Sequence, residues 1–447
     1  MLFDFTLPAP IKMKRQVFGM LNHILINITN RHDRRERFLV PLKLLYQFCR
    51  EQNIEDLERF EEHHIEAFKE CLIAVGNTLH DSYIQILDNI RKFLFLDAPE
   101  TNWEANVWYL ERFHLQSHRM NPSNPVLRIP FYQVHNPENR KYLQYYMQYL
   151  IGVTDMSLAQ IRAQLYRISE FLRDCDNRNL FVLEVTPQDM DQYLKHIDEG
   201  IQADTFNGKA VDIYRFFRFL ITRGYLDKIP FVLEYYLKEV FPVHHDRTVE
   251  EAVVSQMLAN LHLFPEHLRL MYLHLWSLGL RANEVCMIRG DAYYQRKGDT
   301  WIKLYQNKMK AEKTIPIPAM LYQLMKIYIQ EKQIMPDEYV FQNAKGGAFD
   351  VNTFAKQMIK HCEELGIRCS EYTFRSHDYR HTVATSLYAH GASIQAIRDY
   401  MGHKSEDMTK QYIDYMPEKI DKANDEYFSV KANSIARKMK KGGQHEK

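Results

Sequence analysis

The sequence predicts a mainly α fold with one small antiparallel β-sheet, and three observations carry that reading. Apolar residues recur at a period near 3.6 through most of the chain, as they do on amphipathic helices. Strand character is confined to Tyr293–Pro318. Breaks at residues 116–139 and 241–249 divide the chain into three stretches.

Residues 1–115 read as a helical domain. Arg37–Glu51 places Phe38, Leu42, Leu45 and Phe48 on one face, and Asp81–Leu96 does the same with Tyr83, Ile86, Leu87, Ile90 and Phe93. Pro41 falls in or before the first turn of the former, where a residue without an N–H is tolerated. Residues 116–139 carry Pro122, Pro125, Pro130 and Pro137 among asparagines and are expected to be a linker. Helices return over residues 140–240, at Arg140–Ile151, Ser157–Cys175 and Thr205–Arg223. Thr186-Pro187 between them looks like an N-cap followed by proline at the first helical position. Phe48-Cys49-Arg50-Glu51 and Asn89-Ile90-Arg91-Lys92-Phe93 each have a look-alike 123 residues on, which suggests that residues 1–115 duplicate the module at 140–240.

Residues 241–249, with His244-His245, read as a polar linker. After the apolar helix Glu266–Leu278, Gly279 suits a left-handed C-cap, and Asn283 is expected to cap the next helix at Glu284. Ala292–Gln295 and Thr300–Tyr305 flank the hairpin turn Lys297-Gly298-Asp299, and Lys313–Pro318 adds a third strand. The loop Gln306–Glu312 holds Lys308 and Lys310. Val351–Leu365, His377–His390 and Ser393–Met401 are helical, and Ser405 opens another helix. Residues 431–447 form a basic tail.

A hydrophobic content of 46% against 26% charged residues excludes a disordered chain. No apolar run approaches a membrane span, and Met1–Phe5 does not open a signal peptide, so a cytoplasmic protein is expected. The six cysteines show no CxxC pair and read as reduced thiols. His361, Cys362 and Cys369 match no zinc spacing, and no metal or other cofactor is expected. Net charge is +1, with about +4 from residue 250 onward and about −3 before it. Phosphate contacts come from local patches, so this balance is compatible with nucleic acid.

Chemistry concentrates in the C-terminal stretch. Gly279-Leu280-Arg281-Ala282-Asn283-Glu284 is followed by Lys308, then by His377-Asp378-Tyr379-Arg380-His381, Met401-Gly402-His403, and Tyr412 nine residues past His403. Guanidinium groups bind phosphate bidentately, and a phenol can act as a covalent nucleophile. Taken singly, each residue has an ordinary explanation: Lys308 reads as a surface lysine and Arg281 as a loop arginine.

In this order, the motifs over roughly residues 250–425 resemble the tyrosine recombinases, the integrase family of phages and transposons. The resemblance implies a core-binding helical (SAM-like) domain at 140–240 and a catalytic domain at 250–430. In the family these two domains close a clamp around the duplex. It implies DNA cleavage and rejoining through a 3′-phosphotyrosyl intermediate without metal or ATP, for a mobile element. Tyr412 would attack the phosphorus, Arg281 and Arg380 would clamp the non-bridging oxygens, and His403 would donate to the same phosphate. His377 would assist proton transfer, Lys308 would protonate the departing 5′ oxygen, and Glu284 would brace Arg281. Lys310 competes with Lys308 for that role. Tyr379 departs from the family's usual leucine at a position expected to face the core. The implied partners are double-stranded DNA, further copies forming a tetramer on two DNA sites, and accessory DNA-bending or directionality factors. Two alternatives stay open: a type IB-like topoisomerase activity alone, and a non-catalytic DNA-binding protein of the same fold.

Overall fold

The computed structural model describes residues 1–74, 76, 80–240, 247–307, 309–367 and 372–410. Helices dominate, with two small antiparallel sheets. The chain divides into two compact units, Met1–Asn121 with Pro125–Phe241, and Pro122–Asn124 with Pro242–Lys447. Among the described residues no helix is long and apolar enough to cross a membrane.

The N-terminal unit holds two apolar cores. In the first, Met13, Val17, Met20 and Ile24 of helix Ile11–Asn27 meet Leu42, Leu45 and Phe48 of helix Val40–Glu51 and Ile86, Leu87 and Ile90 of helix Gln85–Asp97. Pro41 sits in the first turn of its helix. It has no N–H to close an ordinary turn, and the segment before it, Arg34–Leu39, widens to π geometry.

The second core is built by helices Pro137–Gly152, Leu158–Asn177, Pro187–Asp198 and Ala203–Thr222. Two of these begin with reciprocal caps, Ser157 with Gln160 and Thr186 with Asp189. Residues 116–139 differ from the free linker expected of them. Strand β1 (Val107–Tyr109) pairs with β2 (Arg128–Pro130), and Val126, Ile129, Phe131 and Val134 are buried in this core. Proline forbids helix but leaves extended backbone open, so its density marked a helix-free stretch and not an unpacked one. Pro137 itself occupies the first turn of a helix capped by Asn136.

In the C-terminal unit, helix Glu266–Leu278 packs on helix Ser376–Ala389 beside a sheet of order β3-β4-β5. The strands are β3 (Tyr293–Arg296), β4 (Asp299–Gln306) and β5 (Ala311–Pro316). Lys297 and Gly298, both at positive φ (52° and 90°), make the tight turn between β3 and β4. Gln306 pairs with Ala311, so the β4–β5 turn is shorter than the loop 306–312 expected from sequence. A buried polar contact ties helix to sheet: His274 Nδ1 lies 2.7 Å from the Leu270 carbonyl, and the Tyr293 hydroxyl lies 2.8 Å from Nε2. Burial holds His274 down at about 4, so it is neutral, and the Leu270 carbonyl selects the Nδ1–H tautomer. Helix Ala319–Glu331, which the sequence reading did not single out, completes this layer. Tyr379 faces the core, 1% exposed, with its ring edge-on to Tyr272.

Candidate active site

Helix Glu266–Leu278 ends on Gly279 at φ 60°, and Arg281 follows in extended conformation as the N-cap of the short helix Ala282–Cys286. That helix begins before the expected Asn283 cap because Glu284, at its third position, reaches back to accept the Arg281 backbone N–H at 3.0 Å. The same carboxylate accepts from Arg281 Nη1 at 2.9 Å and from Gln306 Nε2 at 2.9 Å. Glu284 is therefore the hub of the site, and it is only 3% exposed. Burial pushes its pKa up, but Lys313, Arg380 and Arg281 outweigh burial and hold it below the usual glutamate value.

Arg380 projects from helix Ser376–Ala389 and is fully buried. Its Nη1 donates to the Gly279 carbonyl at 2.8 Å; its Nη2 donates to the Met401 carbonyl at 2.6 Å and meets His403 Nε2 at 2.9 Å. Arginine has only donors, so His403 Nε2 must be the acceptor and its proton sits on Nδ1, 3.0 Å from the Thr409 hydroxyl. Burial, then Arg380, Arg281 and Lys313, push His403 down to about 3, so it is neutral at any working pH. In this state it positions Arg380 and has no Nε2 proton to offer a phosphate.

The sheet contributes two residues that sequence reasoning missed. On β4 the inward positions run Thr300, Ile302, Leu304, Gln306, and on β5 they run Lys313, Ile315. A polar residue at the end of an apolar alternation, and a lysine on the apolar face of a strand, were signals available in the sequence. Lys313 is 7% exposed, and its ammonium has no hydrogen-bond partner among the described residues. Burial lowers its pKa to about 8 despite the attraction of Glu284.

The structure thus brings together Arg281, Glu284, Arg380 and His403, and adds Gln306 and Lys313. His377 lies exposed on the first turn of the Arg380 helix, its ring edge-on to His381 at 5.5 Å. Lys310 is exposed in the β4–β5 turn at φ 50°. Lys308 and Tyr412 lie outside the described residues. Of the cysteine–histidine set, His361 pairs with Glu364 and Cys362 Sγ contacts Met257 Sδ. Among the described residues no group of three or more His, Cys, Asp or Glu is placed to hold a metal.

Gly402 is what lets Gln306 reach the hub. It sits at φ 66°, and a Cβ there would come within 2.4 Å of Gln306 Oε1. Gly402→Ala is expected to strain the backbone by about 1–2 kcal/mol. It should also displace Gln306 from Glu284, at about 1–3 kcal/mol for the buried amide. Scanning calorimetry should show the C-terminal unit destabilised by roughly 2–5 kcal/mol on those costs. An unchanged transition would mean that Gln306 is not needed there.

Residues 247–419 match the model of the phage integrase family. Transposase B from transposon Tn554 of Staphylococcus aureus is 26% identical over 342 residues, covering 72% of this chain and 54% of that protein. The chain thus spans about half the length of that relative. A tyrosine recombinase of Pseudothermotoga lettingae is 22% identical over 291 residues, covering 63% of this chain and 96% of that one. A crystal structure of XerH site-specific recombinase bound to palindromic difH substrate aligns with a TM-score of 0.49 at 16% identity, over 66% of this chain and 91% of that one.

Proposed function

We propose that this chain, whose residues 247–419 belong to the phage integrase family of tyrosine recombinases, is the site-specific recombinase of a mobile element. One observation carries the reading. Arg281, Arg380 and Lys313 surround a single buried carboxylate, so the site holds more positive than negative charge. Buried charge without a counter-charge is costly, and an entering phosphodiester supplies one.

In this reading Arg281 and Arg380 receive the non-bridging oxygens, and preorganised donors stabilise the charge that develops on them. Arg380 reaches the phosphate by turning a donor away from the Met401 carbonyl and His403. That frees His403 Nε2. Because the Thr409 hydroxyl can either donate or accept, the imidazole proton can then move to Nε2 and face the phosphate. Tyr412 attacks phosphorus as its phenol proton passes to His377, the 5′ oxygen departs with a proton from Lys308, and the 3′-phosphotyrosyl bond conserves the energy for religation. The cations of the site do the electrostatic work that metal ions do elsewhere, so no metal is required. Residues 1–115 and 140–240 serve as DNA-binding modules, and the assembly is a tetramer on two sites.

The test is covalent trapping. Nicked duplexes tiled across the DNA flanking the gene are incubated with protein in EDTA and run on a denaturing gel. The wild-type chain should form a protein–DNA adduct and Tyr412→Phe should form none, while both shift the duplex on a native gel. No adduct from the wild type on any duplex, or an undiminished adduct from Tyr412→Phe, would reject the mechanism. Two-site substrates that are cut and resealed but never exchanged would leave a topoisomerase.

A further inference from the structure

Lys313 is not accounted for by any of these roles. Its ammonium is buried on the inner face of β5 and, among the described residues, lacks a hydrogen-bond acceptor. A lysine in that position costs folding energy unless something repays it, and the protein offers it little. The groups that face it come from every neighbouring element. Glu284 and Arg281 belong to the helix Ala282–Cys286 and its cap, and Arg380 to helix Ser376–Ala389. His403 follows helix Ile394–Met401, and the ring of Tyr400 on that helix lies 5.6 Å from Nζ. Glu284 is the single anion in this set, and its oxygens are already taken by Arg281 and Gln306. The missing acceptor is therefore an anion from outside, entering between the two arginines.

We propose that Lys313 is a third cationic donor of the phosphate site, its Nζ taking a non-bridging oxygen of the scissile phosphodiester beside Arg281 and Arg380. This rests on the recombinase reading above. Lys313 holds charge and transfers no proton, so the leaving-group role stays with the β4–β5 turn. Lys310, exposed on that turn, belongs to a different environment. Loss of its proton near pH 8 would switch the third donor off in the free protein, and a bound phosphate would restore it.

The experiment uses the full chain and a nicked duplex trapped in the assay above. Adduct formation is measured in single turnover at DNA concentrations well below saturation, where the rate reports titration of the free protein. Wild type, Lys313→Met and Lys313→Arg are compared at pH 7 and pH 9, with melting curves to confirm folding. Lys313→Met should be slower than wild type by roughly a hundredfold at pH 7, the usual loss for one preorganised donor. The ratio should shrink to roughly tenfold at pH 9, because wild-type Lys313 is then mostly neutral. Lys313→Arg, which keeps its charge, should fall less than wild type between the two pH values. A structural role alone would slow Lys313→Met by the same factor at both pH values, and that result would overturn the proposal. So would a Lys313→Met rate within threefold of wild type at pH 7. If no duplex is trapped by the wild type, the recombinase reading itself fails and this role fails with it. An adduct that forms but shows a pH-independent ratio removes Lys313 alone.

Discussion

Arg380→Ala is expected to abolish DNA cleavage and to loosen the site at the same time. The side chain is fully buried and is bonded to the Gly279 carbonyl, the Met401 carbonyl and His403. Truncation removes a donor from the proposed phosphate site, which by itself costs roughly 10²–10³ in rate. It also leaves His403 without the group that fixes its tautomer and orientation. The combined loss in single-turnover adduct formation should reach at least about three orders of magnitude, the top of the range for one donor. Two buried carbonyls and one imidazole nitrogen lose this donor, at about 1–3 kcal/mol for each one left unsatisfied. Arg380→Lys keeps the charge but cannot serve three acceptors in a planar fork, so it should retain stability better than activity. A rate within tenfold of wild type for Arg380→Ala would remove Arg380 from the chemistry.

How far the sequence revealed this site depends on which residues are considered. The motifs that carry Arg281, Arg380 and His403 were legible because they are short and local. Gly279 was visible as a helix terminus, and His377, Arg380 and Gly402 stand in recognisable order. The strands were legible because alternation switched from 3.6 to 2 at Tyr293. What did not show was the direction of side chains that break the apolar pattern. Gln306 and Lys313 occupy inward positions at which alternation predicts apolar residues, and only the register of β4 on β5 brings them to Glu284. The helix start at Ala282 was misjudged for a related reason: Asn283 has the side chain of a cap, but Glu284 closes the turn from the other end. The stretch 116–139 was read as a linker because proline reports what the backbone cannot do, and it carries no information about burial. His403 was expected to face a phosphate. Its actual tautomer follows from contact with Arg380, which residue spacing alone could not supply.

Glu284→Ala should destabilise the C-terminal unit strongly. The carboxylate is 3% exposed and accepts from the Arg281 backbone, the Arg281 guanidinium and Gln306. It is also the counter-charge to Lys313 and Arg380. Removing one partner of a buried ionic set costs about 3–5 kcal/mol, because the remaining charges are left uncompensated. Glu284→Gln keeps the shape but loses the charge, so it should fall between alanine and wild type. The pH dependence identifies the cause. The folded pKa of Glu284 lies below its unfolded value of 4.5, so its electrostatic contribution is fully present above about that pH. It is lost as pH falls through the folded pKa, where the native carboxylate takes up its proton. Calorimetry of wild type and Glu284→Gln should therefore show a gap that is fully open at about pH 6, below the range in which Lys313 titrates, and that closes in acid below about pH 4.5. Lys313 supplies a second signature. Glu284 is the neighbour that raises its pKa, so in Glu284→Gln the lysine should lose its proton below pH 8, near neutral pH. Adduct formation in that variant should then decline between pH 6.5 and 7.5, where the wild type is flat. A stability gap that persists unchanged into acid would show that Glu284 acts through shape and hydrogen bonding alone, and not as the anion that holds three cations in place.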